Sequence, residues 1–287
     1  MTQHFQGQKN SIKKDELLLQ AEVNESTLKS LVKKNILQIV KQEISRFNEV
    51  GVNEEALKDL NESQQKAFND ITDLFAEKNA VLLQGVTSSG KTEVYIKLME
   101  AAIAQGKQVL YLLPEIALTT QIINRLQKVF GNQVGVYHSK FNESERVEVW
   151  KNLMRPADEQ SEMPRFNIVL GVRSAIFLPF NKLGLIIVDE EHDSSYKQQE
   201  PTPRYHARDA AIVLAHQCGA NVLLGSATPS VESFFNAQQG KYALVEMHER
   251  FGKAILPKVD IIDTKIGQIQ KTQKGIFSNQ LIDAIQH

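Results

Sequence analysis

Residues Gly85–Thr92 read GVTSSGKT and match the phosphate-loop pattern G-x-x-x-x-G-K-[ST]. The surrounding sequence has the context that the pattern requires, because the strand-like run Ala80–Leu83 precedes the loop and a helical pattern begins near Lys91. The glycines Gly85 and Gly90 allow successive backbone N–H groups to face a phosphate at the N-terminus of that helix. The stretch therefore predicts that the chain binds the triphosphate of a nucleotide.

The side chains of this loop predict how the nucleotide is held. We expect Lys91 to neutralise the β- and γ-phosphates and the hydroxyl of Thr92 to bind Mg²⁺, which makes Lys91 a candidate catalytic residue as well. The residues predicted to contact the nucleotide are those of the complete loop, namely Gly85, Val86, Thr87, Ser88, Ser89, Gly90, Lys91 and Thr92.

Apolar runs alternate with helical patterns along the rest of the chain. The runs are continuous rather than alternating, which is typical of strands buried on both faces of a parallel sheet. They are Val81–Leu83, Val109–Leu113, Val134–Tyr137, Ile168–Leu170, Leu185–Val188 and Val222–Leu224. We therefore predict a doubly wound, mostly parallel α/β domain over residues 61–250.

The N-terminal part, residues 1–47, has a different pattern. A short helical pattern at Leu17–Leu19 is followed by a second helix that Asn24 caps and Asn35 ends, and then by the β-branched run Ile36–Ile44. This helix, helix, β-wing order predicts a winged-helix domain, and the polar residues 48–60 then form a linker. Three lysines of the second helix either contact DNA phosphates or form a solvated face: Lys29, Lys33 and Lys34.

Composition limits the class of protein. The 287 residues carry 33 basic and 34 acidic side chains, so the net charge of −1 neither indicates nor excludes a nucleic-acid partner. Cys218 is the single cysteine, which excludes an internal disulfide and a Cys-rich zinc site and suits a cytoplasmic protein. No apolar run approaches the roughly 18 residues of a membrane span. We expect a soluble protein without zinc and without a membrane partner.

A carboxylate pair follows one of the predicted strands. The run Leu185–Asp189 reads LIIVD, and residues at the carboxyl ends of such strands face the ligand crevice. We expect Asp189 to hold Mg²⁺ through water and Glu190 to orient or deprotonate the water that attacks the γ-phosphate. His192 completes the sequence DEEH, either as a residue that couples sites or as a structural histidine.

A third polar segment follows the next strand. Gly225–Ser230 reads GSATPS, and small hydroxyl residues at that edge of the sheet can sense the γ-phosphate. We therefore predict that Ser226 and Thr228 couple the nucleotide site to the rest of the protein. Taken alone, the segment is also compatible with an ordinary loop.

In this order, GVTSSGKT, DEEH and GSATPS resemble the first, RecA-like motor lobe of superfamily 2 helicases. Four further segments resemble the PriA family of bacterial replication-restart helicases, as does the winged-helix stretch. They are LLPEIALTTQ (112–121), YHSKFNESER (137–146), GVRSAIFLPF (171–180) and HDSSYKQQEPTPRYHARD (192–209). The resemblance covers about residues 14–285.

This resemblance implies an ATP-dependent DNA helicase that moves 3′ to 5′ in replication restart, with ATP and Mg²⁺ as cofactors. The implied partners are single-stranded and forked DNA, the primosome and single-strand-binding proteins. The implied setting is the bacterial cytoplasm at the nucleoid, with the chain as a monomer. Without the enzymatic activity, the alternative is a DNA-binding or partner-docking module.

Residue roles also follow from the resemblance. Gln64 is expected to read the adenine edge of the nucleotide. Residues expected to contact the backbone of single-stranded DNA are Pro114, Thr119, Arg173 and Ser174. The aromatic-rich loop 196–206 is expected to link DNA binding to hydrolysis, because it offers stacking faces and charges at Tyr196, Lys197, Arg204 and Tyr205. The alternative is a surface loop whose aromatic rings pack inward.

The chain also differs from the family pattern. Residues 251–287 resemble the beginning of a second motor lobe, with LPKVDIID at Leu256–Asp263 and then the helical sequence FSNQLIDAIQ. We expect a fragment that binds ATP and DNA but hydrolyses ATP slowly and does not unwind DNA alone. The reason is that an arginine finger from a second lobe contributes about 10³- to 10⁵-fold to the rate in such motors.

A P-loop GTPase or kinase is the rival enzyme class. Asn181–Gly184 reads NKLG and is similar to the guanine-reading motif NKxD. Because Gly184 stands where the motif has its aspartate, the base would lack its carboxylate acceptor. The sequence therefore favours ATP.

Overall fold

A computed structural model of the protein describes residues 17–18, 21, 23–37, 59–139, 142–155, 165–249, 261–265 and 273–286. The chain divides into two compact units, Met1–Arg46 and Phe47–His287. No helix in these described ranges is long and apolar enough to cross a membrane.

The first unit contains helix α1 at Glu25–Lys33. The side chain of Asn24 accepts a hydrogen bond from the backbone N–H of Thr27 at 3.1 Å, and Asn35 follows the helix with φ of 56°. The predicted helix and both of its ends are therefore confirmed. Most of the predicted wing, residues 38–44, lies outside the described residues, as do Leu19 and residues 48–58 of the predicted linker. The winged-helix assignment stays a prediction.

Within the described residues, the second unit contains a seven-stranded sheet. The strands are β1 (Ala80–Gly85), β2 (Gln108–Leu112), β3 (Val134–Tyr137), β4 (Ile168–Gly171), β5 (Leu183–Asp189), β6 (Asn221–Ser226) and β7 (Ala243–Met247). Their order in the sheet is β3-β4-β2-β5-β6-β1-β7, and all neighbouring strands are parallel.

Helices cover both faces of the sheet. They are α2 (Glu62–Leu74), α3 (Lys91–Ala104), α4 (Thr120–Phe130), α5 (Glu143–Met154), α6 (Ala207–Cys218) and α7 (Val231–Gln238). Short 3₁₀ helices lie at Gly131–Gln133, Arg173–Phe177 and Ser194–Tyr196.

Alternate residues of the strands enter two separate cores, as β1 illustrates. Val81 and Leu83 pack in one core with Val94 of α3, whereas Leu82 packs in the other with Ala211 of α6. Because both faces are buried, the strands are apolar at nearly every position. The predicted doubly wound, mostly parallel α/β fold is confirmed.

The edge strand β7 was not expected from the sequence. Its residues ALVEM are alternately buried and exposed, so the strand lacks the continuous apolar run by which the other strands were recognised. One face of this edge strand is buried and the other is in contact with solvent, which explains the alternation.

The C-terminal part contains a short antiparallel pair, β8 (Gln273–Lys274) with β9 (Phe277–Ser278), and helix α8 (Asn279–Gln286). The helix predicted from FSNQLIDAIQ is therefore present. Residues 251–260 lie outside the described residues, so the assignment of 251–287 to a second lobe stays a prediction.

The strand order brings the three motifs to one edge. Strands β5, β6 and β1 are adjacent and parallel, with Asp189 beside Gly225 and Gln84 beside Ser226. Carboxyl ends of parallel strands form the ligand crevice of open α/β sheets. The phosphate loop, DEEH and GSATPS therefore meet at what we call the carboxyl edge.

Candidate nucleotide site and nucleic-acid surface

The phosphate loop connects the end of β1 to the first residue of α3. Ser88 and Gly90 have φ of 65° and 87°, so the backbone curls into the left-handed region twice. The φ of Gly90 favours glycine, and a Cβ at this position would lie 2.0 Å from Nε2 of Gln64, so a larger residue would also have to displace that amide. Tight backbone curvature at a helix N-terminus is the arrangement that binds phosphate.

Two polar groups in the loop fit an anionic ligand. The hydroxyl of Ser89 is buried and has no hydrogen-bond partner in the protein, although buried hydroxyls are normally paired. The ammonium group of Lys91 donates to the carbonyl of Gly85 at 2.9 Å and therefore lies against the loop. A phosphate in the loop would give the hydroxyl a partner and the ammonium a counter-charge.

Asp189 ends β5 and is held by two tyrosines. Tyr95 donates to Oδ1 at 3.0 Å, and Tyr111 donates to Oδ2 at 3.0 Å. Burial and then the charge of Glu190 raise the pKa of Asp189, while the two tyrosine hydrogen bonds and Lys91 act in the opposite direction. A cation beside this carboxylate would favour its ionised form.

The available ligands suit Mg²⁺ bound together with a nucleotide. No cluster of three or more His, Cys, Asp or Glu side chains that could hold a metal ion occurs among the residues that the structure describes. Magnesium at nucleotide sites takes one or two protein oxygens and completes its shell with phosphate oxygens and water. Asp189 and Thr92 are oxygen donors of that kind.

Glu190 follows Asp189 with a strained backbone. Its φ is 46°, which is uncommon for a residue other than glycine and is frequent at functional sites. Its N–H donates to Oδ1 of Asp189 at 3.1 Å, and its carbonyl accepts from Asp193 at 2.8 Å. These bonds fix the backbone turn, and the carboxylate of Glu190 is half-exposed.

The predicted coupling residues are joined by hydrogen bonds. Nδ1 of His192 lies 2.7 Å from the hydroxyl of Ser226, and that hydroxyl accepts from the N–H of Thr228 at 3.0 Å. Oε2 of Glu190 lies 3.7 Å from Nδ1 of His192. The arrangement connects the carboxylate proposed as base to the GSATPS loop, and the coupling role itself stays a prediction.

Glu191, for which no role was predicted, is the centre of a buried network. It is fully buried and accepts from the N–H of Ser230 at 2.7 Å, from the hydroxyls of Ser230 and Ser233 at 3.0 and 2.7 Å, and from Arg208 at 3.0 Å. The network ties DEEH to the start of α7 and to α6. The sequence signal for this network is limited to the presence of a third acidic residue in DEEH. Nothing in the sequence distinguishes that residue from the two acids before it.

The guanidinium of Arg208 is satisfied on both sides. It pairs with Glu191 and with Asp209, the latter at 2.8 Å. Burial alone would lower the pKa of Arg208, but the hydrogen bonds and charges of Asp209 and Glu191 raise it. The cation therefore stays charged in the core.

Gln64 contacts the phosphate loop instead of facing outward. It is buried, its Oε1 accepts from the N–H of Asn61 at 3.0 Å, and its Nε2 donates to the carbonyl of Ser89 at 3.4 Å. The first bond belongs to a capping box at the start of α2. Gln64 thus positions the loop, and its predicted contact with adenine remains a prediction.

Two of the residues predicted to contact DNA have buried side chains, and their contact with DNA stays a prediction. Tyr196 is fully buried, and its hydroxyl donates to the carbonyls of Asp189 and Leu112 at 2.6 and 3.0 Å. Pro114 is also buried, and its carbonyl accepts from Ala117 and Leu118 in the turn before α4. Tyr196 supports the end of β5, and Pro114 shapes a turn.

The other predicted DNA contacts lie at the surface or partly exposed. Lys197, Arg204 and Thr119 are exposed, and Ser174 and Tyr205 are half-buried. Half-buried Arg173 donates to the carbonyl of Ser195 at 3.1 Å, which links the GVRSAIF segment to the aromatic-rich loop.

An exposed aromatic ring that the sequence did not single out lies beside Tyr205. Phe177 is 59% exposed and packs edge-on against Tyr205, with ring centroids 4.9 Å apart. Phe177 belongs to an irregular apolar segment, GVRSAIFLPF, in which no periodicity separates outward from inward residues. We call Phe177 and Tyr205 the aromatic pair.

Comparison with known proteins matches the site to one family. The family model described as DEAD/DEAH box helicase matches residues 61–235. Replication restart protein PriA of Bacillus subtilis (strain 168) is 37% identical over 275 residues, which are 94% of this chain and 33% of that protein. The same-named protein of Haemophilus influenzae is 44% identical over 219 residues, 76% of this chain and 29% of that protein.

Among solved structures, RecG bound to a three-way DNA junction matches with a TM-score of 0.47 and 18% identity, covering 87% of this chain and 29% of that one. The chain spans about a third of the length of the curated relatives it matches. The resemblance to PriA inferred from the sequence motifs is confirmed by these relatives. Because the family model matches more than half of its residues, this chain belongs to the DEAD/DEAH box helicase family, and within that family it is similar to replication restart protein PriA.

Proposed function

We propose that this chain is the ATP-binding motor part of a DNA helicase of replication restart, one that moves 3′ to 5′ on single-stranded DNA. The observation that carries the proposal is the meeting of three segments at the carboxyl edge of one parallel sheet: the phosphate loop, DEEH and GSATPS. A nucleotide whose phosphates enter the loop would lie between the metal-binding carboxylate and the coupling residues.

Different residues of the chain bind the phosphates, hold the metal ion and accept a proton from water. Lys91 and the loop N–H groups bind the phosphates, and Thr92 with Asp189 would hold Mg²⁺. When bound, that ion supplies charge neutralisation at the phosphate oxygens. Glu190 takes the proton of the attacking water, and its fixed backbone turn keeps that carboxylate beside Asp189.

The residues that follow Glu190 couple hydrolysis to the GSATPS loop. His192 lies between Glu190 and Ser226, and Ser226 in turn holds the N–H of Thr228. A change at the γ-phosphate that moves Glu190 would therefore alter the GSATPS loop. The geometry supports coupling by hydrogen bonds rather than through a flexible connection.

The proposed DNA surface is the aromatic pair with the charged residues of the neighbouring loop. Lys197 and Arg204 are exposed there, although Arg204 also donates to the carbonyl of Gln199 at 2.9 Å. Aromatic rings that stack on bases, together with cations that contact phosphates, bind single strands without reading their sequence. Such a surface suits a motor that moves along any sequence.

The domain organisation, setting and partners are proposals as well. Residues 1–47 would be a winged helix, 48–60 a linker, 61–250 the motor lobe and 251–287 the start of a second lobe, and the match over 61–235 supports the third of these. The similarity to replication restart proteins supports single-stranded and forked DNA, the primosome and single-strand-binding proteins as partners. We propose a monomer that works at the bacterial nucleoid.

Nucleotide titration, with and without single-stranded DNA, tests the function. We expect ATP to bind better than GTP, because Asn181–Gly184 runs into the first residues of β5 and lies at the opposite end of that strand from Asp189. We also expect a non-hydrolysable ATP analogue to change DNA affinity. DNA affinity that ignores ATP would support the alternative, a DNA-binding or partner-docking module.

For these 287 residues alone we propose slow hydrolysis and no unwinding. The measurement is ATP turnover of the purified chain with saturating single-stranded DNA. A turnover above about 1 per second, within the usual range of enzymes, would contradict this part of the proposal.

The aromatic pair provides a direct test of the DNA surface. We expect Phe177→Ala to weaken single-stranded DNA binding about tenfold, because stacking on one ring contributes about 1–3 kcal/mol per base. Tyr205→Ala should weaken binding similarly, as measured by fluorescence anisotropy of a labelled oligonucleotide. Phe235→Ala is a matched control, since Phe235 is 55% exposed on α7. Equal DNA affinities for the Phe177 and Phe235 variants would exclude the aromatic pair from the interface.

A further inference from the structure

Two buried tyrosines bind both oxygens of the same carboxylate. The hydroxyls of Tyr95 and Tyr111 each lie 3.0 Å from one carboxylate oxygen of Asp189. Both tyrosines are essentially inaccessible to solvent, and their rings meet edge-on with centroids 5.9 Å apart. Because the rings are fixed in the core, the two hydroxyls fix the rotation of the carboxylate.

The fold explains how both hydroxyls reach Asp189. Tyr95 lies on α3 three residues after Thr92, so the two side chains project from the same side of the helix. Tyr111 lies beside Ile187 in the β2–β5 register, and Ile187 and Asp189 share one face of β5. The helix that carries the metal-binding hydroxyl and the strand next to β5 therefore both contact the carboxylate.

Gly225 provides a second, independent observation. It lies beside Asp189 in the β5–β6 register, and a Cβ at this position would lie 1.8 Å from the hydroxyl oxygen of Tyr95. No side chain larger than hydrogen leaves room for that hydroxyl. The first residue of GSATPS is therefore required to be glycine, because a side chain there would overlap the hydroxyl of Tyr95.

We propose that Tyr95 and Tyr111 are positioning residues that orient Asp189 toward the magnesium ion of the bound nucleotide, and that Gly225 is required to admit Tyr95. The proposal rests on the proposed nucleotide site. It adds a connection that the sequence motifs do not contain, since neither tyrosine belongs to the phosphate loop or to DEEH. Groups that orient a metal ligand typically change metal affinity about 10- to 100-fold when they are removed.

The test compares nucleotide binding with and without the metal. Tyr95→Phe, Tyr111→Phe and the double variant keep the rings and remove the hydroxyls. We expect the free Mg²⁺ concentration for half-maximal binding of a fluorescent ATP analogue to rise about tenfold in each single variant and more in the double variant. Binding in EDTA should stay within about twofold of wild type, because the phosphate loop is untouched.

Tyr242→Phe is the control, since Tyr242 is half-buried at the start of β7, the end opposite to the site, and hydrogen-bonds Asn236. Mg²⁺ titrations of the double variant that coincide with wild type would overturn the inference. An equal loss of binding in Mg²⁺ and in EDTA would also overturn it, since it would indicate a purely structural role. If wild type itself binds no nucleotide in Mg²⁺, the proposed function fails instead.

Gly225→Ala tests whether Gly225 is required to admit Tyr95. Its Cβ should displace Tyr95, so we expect a Mg²⁺ shift in the same direction as in Tyr95→Phe. Combining the two substitutions should cost less than the sum of their separate effects, because both remove one hydrogen bond. Strict additivity would show that Gly225 acts independently of Tyr95.

Discussion

Glu191→Ala is expected to destabilise the α/β unit by about 3–5 kcal/mol, the effect of removing one partner of a buried ion pair. Glu191 is the carboxylate that Arg208 contacts at 3.0 Å inside the core, and it also accepts from Ser230 and Ser233. Its removal leaves the buried guanidinium with the exposed carboxylate of Asp209 and takes away the acceptor of the Ser230 and Ser233 hydroxyls. Urea unfolding followed by circular dichroism gives the free energy of unfolding. A loss of this size is a large part of the total, which is typically about 5–15 kcal/mol for a native protein.

Two further variants make this prediction specific. Glu232→Ala removes an exposed carboxylate in the first turn of α7 and should stay within about 0.5 kcal/mol of wild type. The double variant Glu191→Ala with Arg208→Met should be more stable than Glu191→Ala alone, because the buried guanidinium that loses Glu191 is then absent. If Glu191→Ala unfolds at the same urea concentration as Glu232→Ala, the network does not stabilise the fold.

Lys91→Met is expected to weaken ATP binding about 10- to 100-fold. The loss corresponds to about 1.5–3 kcal/mol for one hydrogen bond between charged groups. The methionine keeps the length of the side chain and removes only the ammonium group that lies against the loop. Binding of a fluorescent ATP analogue in Mg²⁺ provides the measurement.

Lys97→Met is the matched control, because Lys97 lies on the same helix and pairs with Glu100 at 3.1 Å, away from the loop. We expect that variant to bind ATP as wild type does. The same two proteins also separate the motor from the docking module. In a motor, a non-hydrolysable ATP analogue changes the DNA affinity of Lys97→Met much more than that of Lys91→Met, whereas a docking module responds in neither.

The sequence was sufficient to predict the strand, loop and helix around GVTSSGKT, because the chemistry there is local. A phosphate loop needs glycines at set positions and a strand and helix on either side, and all of these are visible in GVTSSGKT and its flanks. Six of the strands could be predicted from continuous apolar runs, because strands that are buried on both faces carry few polar residues. Strand β7 was missed because its residues are alternately buried and exposed and form no continuous apolar run.

Sequence patterns could not predict which aromatic rings of the aromatic-rich loop are buried and which are exposed. Tyr196 and Tyr205 belong to the same irregular segment, yet the first is buried beneath β5 and the second is partly exposed beside Phe177. In regular helices and strands, periodicity tells inward from outward residues. Without a period, the direction of each ring depends on the surrounding packing.

By itself, then, the sequence determined the fold class, the phosphate loop and the identity of the acids Asp189 and Glu190, because these depend on residue type and spacing along one strand or turn. Tertiary structure decided which groups support them. Tyr95, Tyr111 and Gly225 come from a helix and two strands far apart in the chain, and only the strand order brings them to Asp189. A hydrogen bond between distant segments leaves no local spacing in the sequence, so it has to be seen in the folded protein.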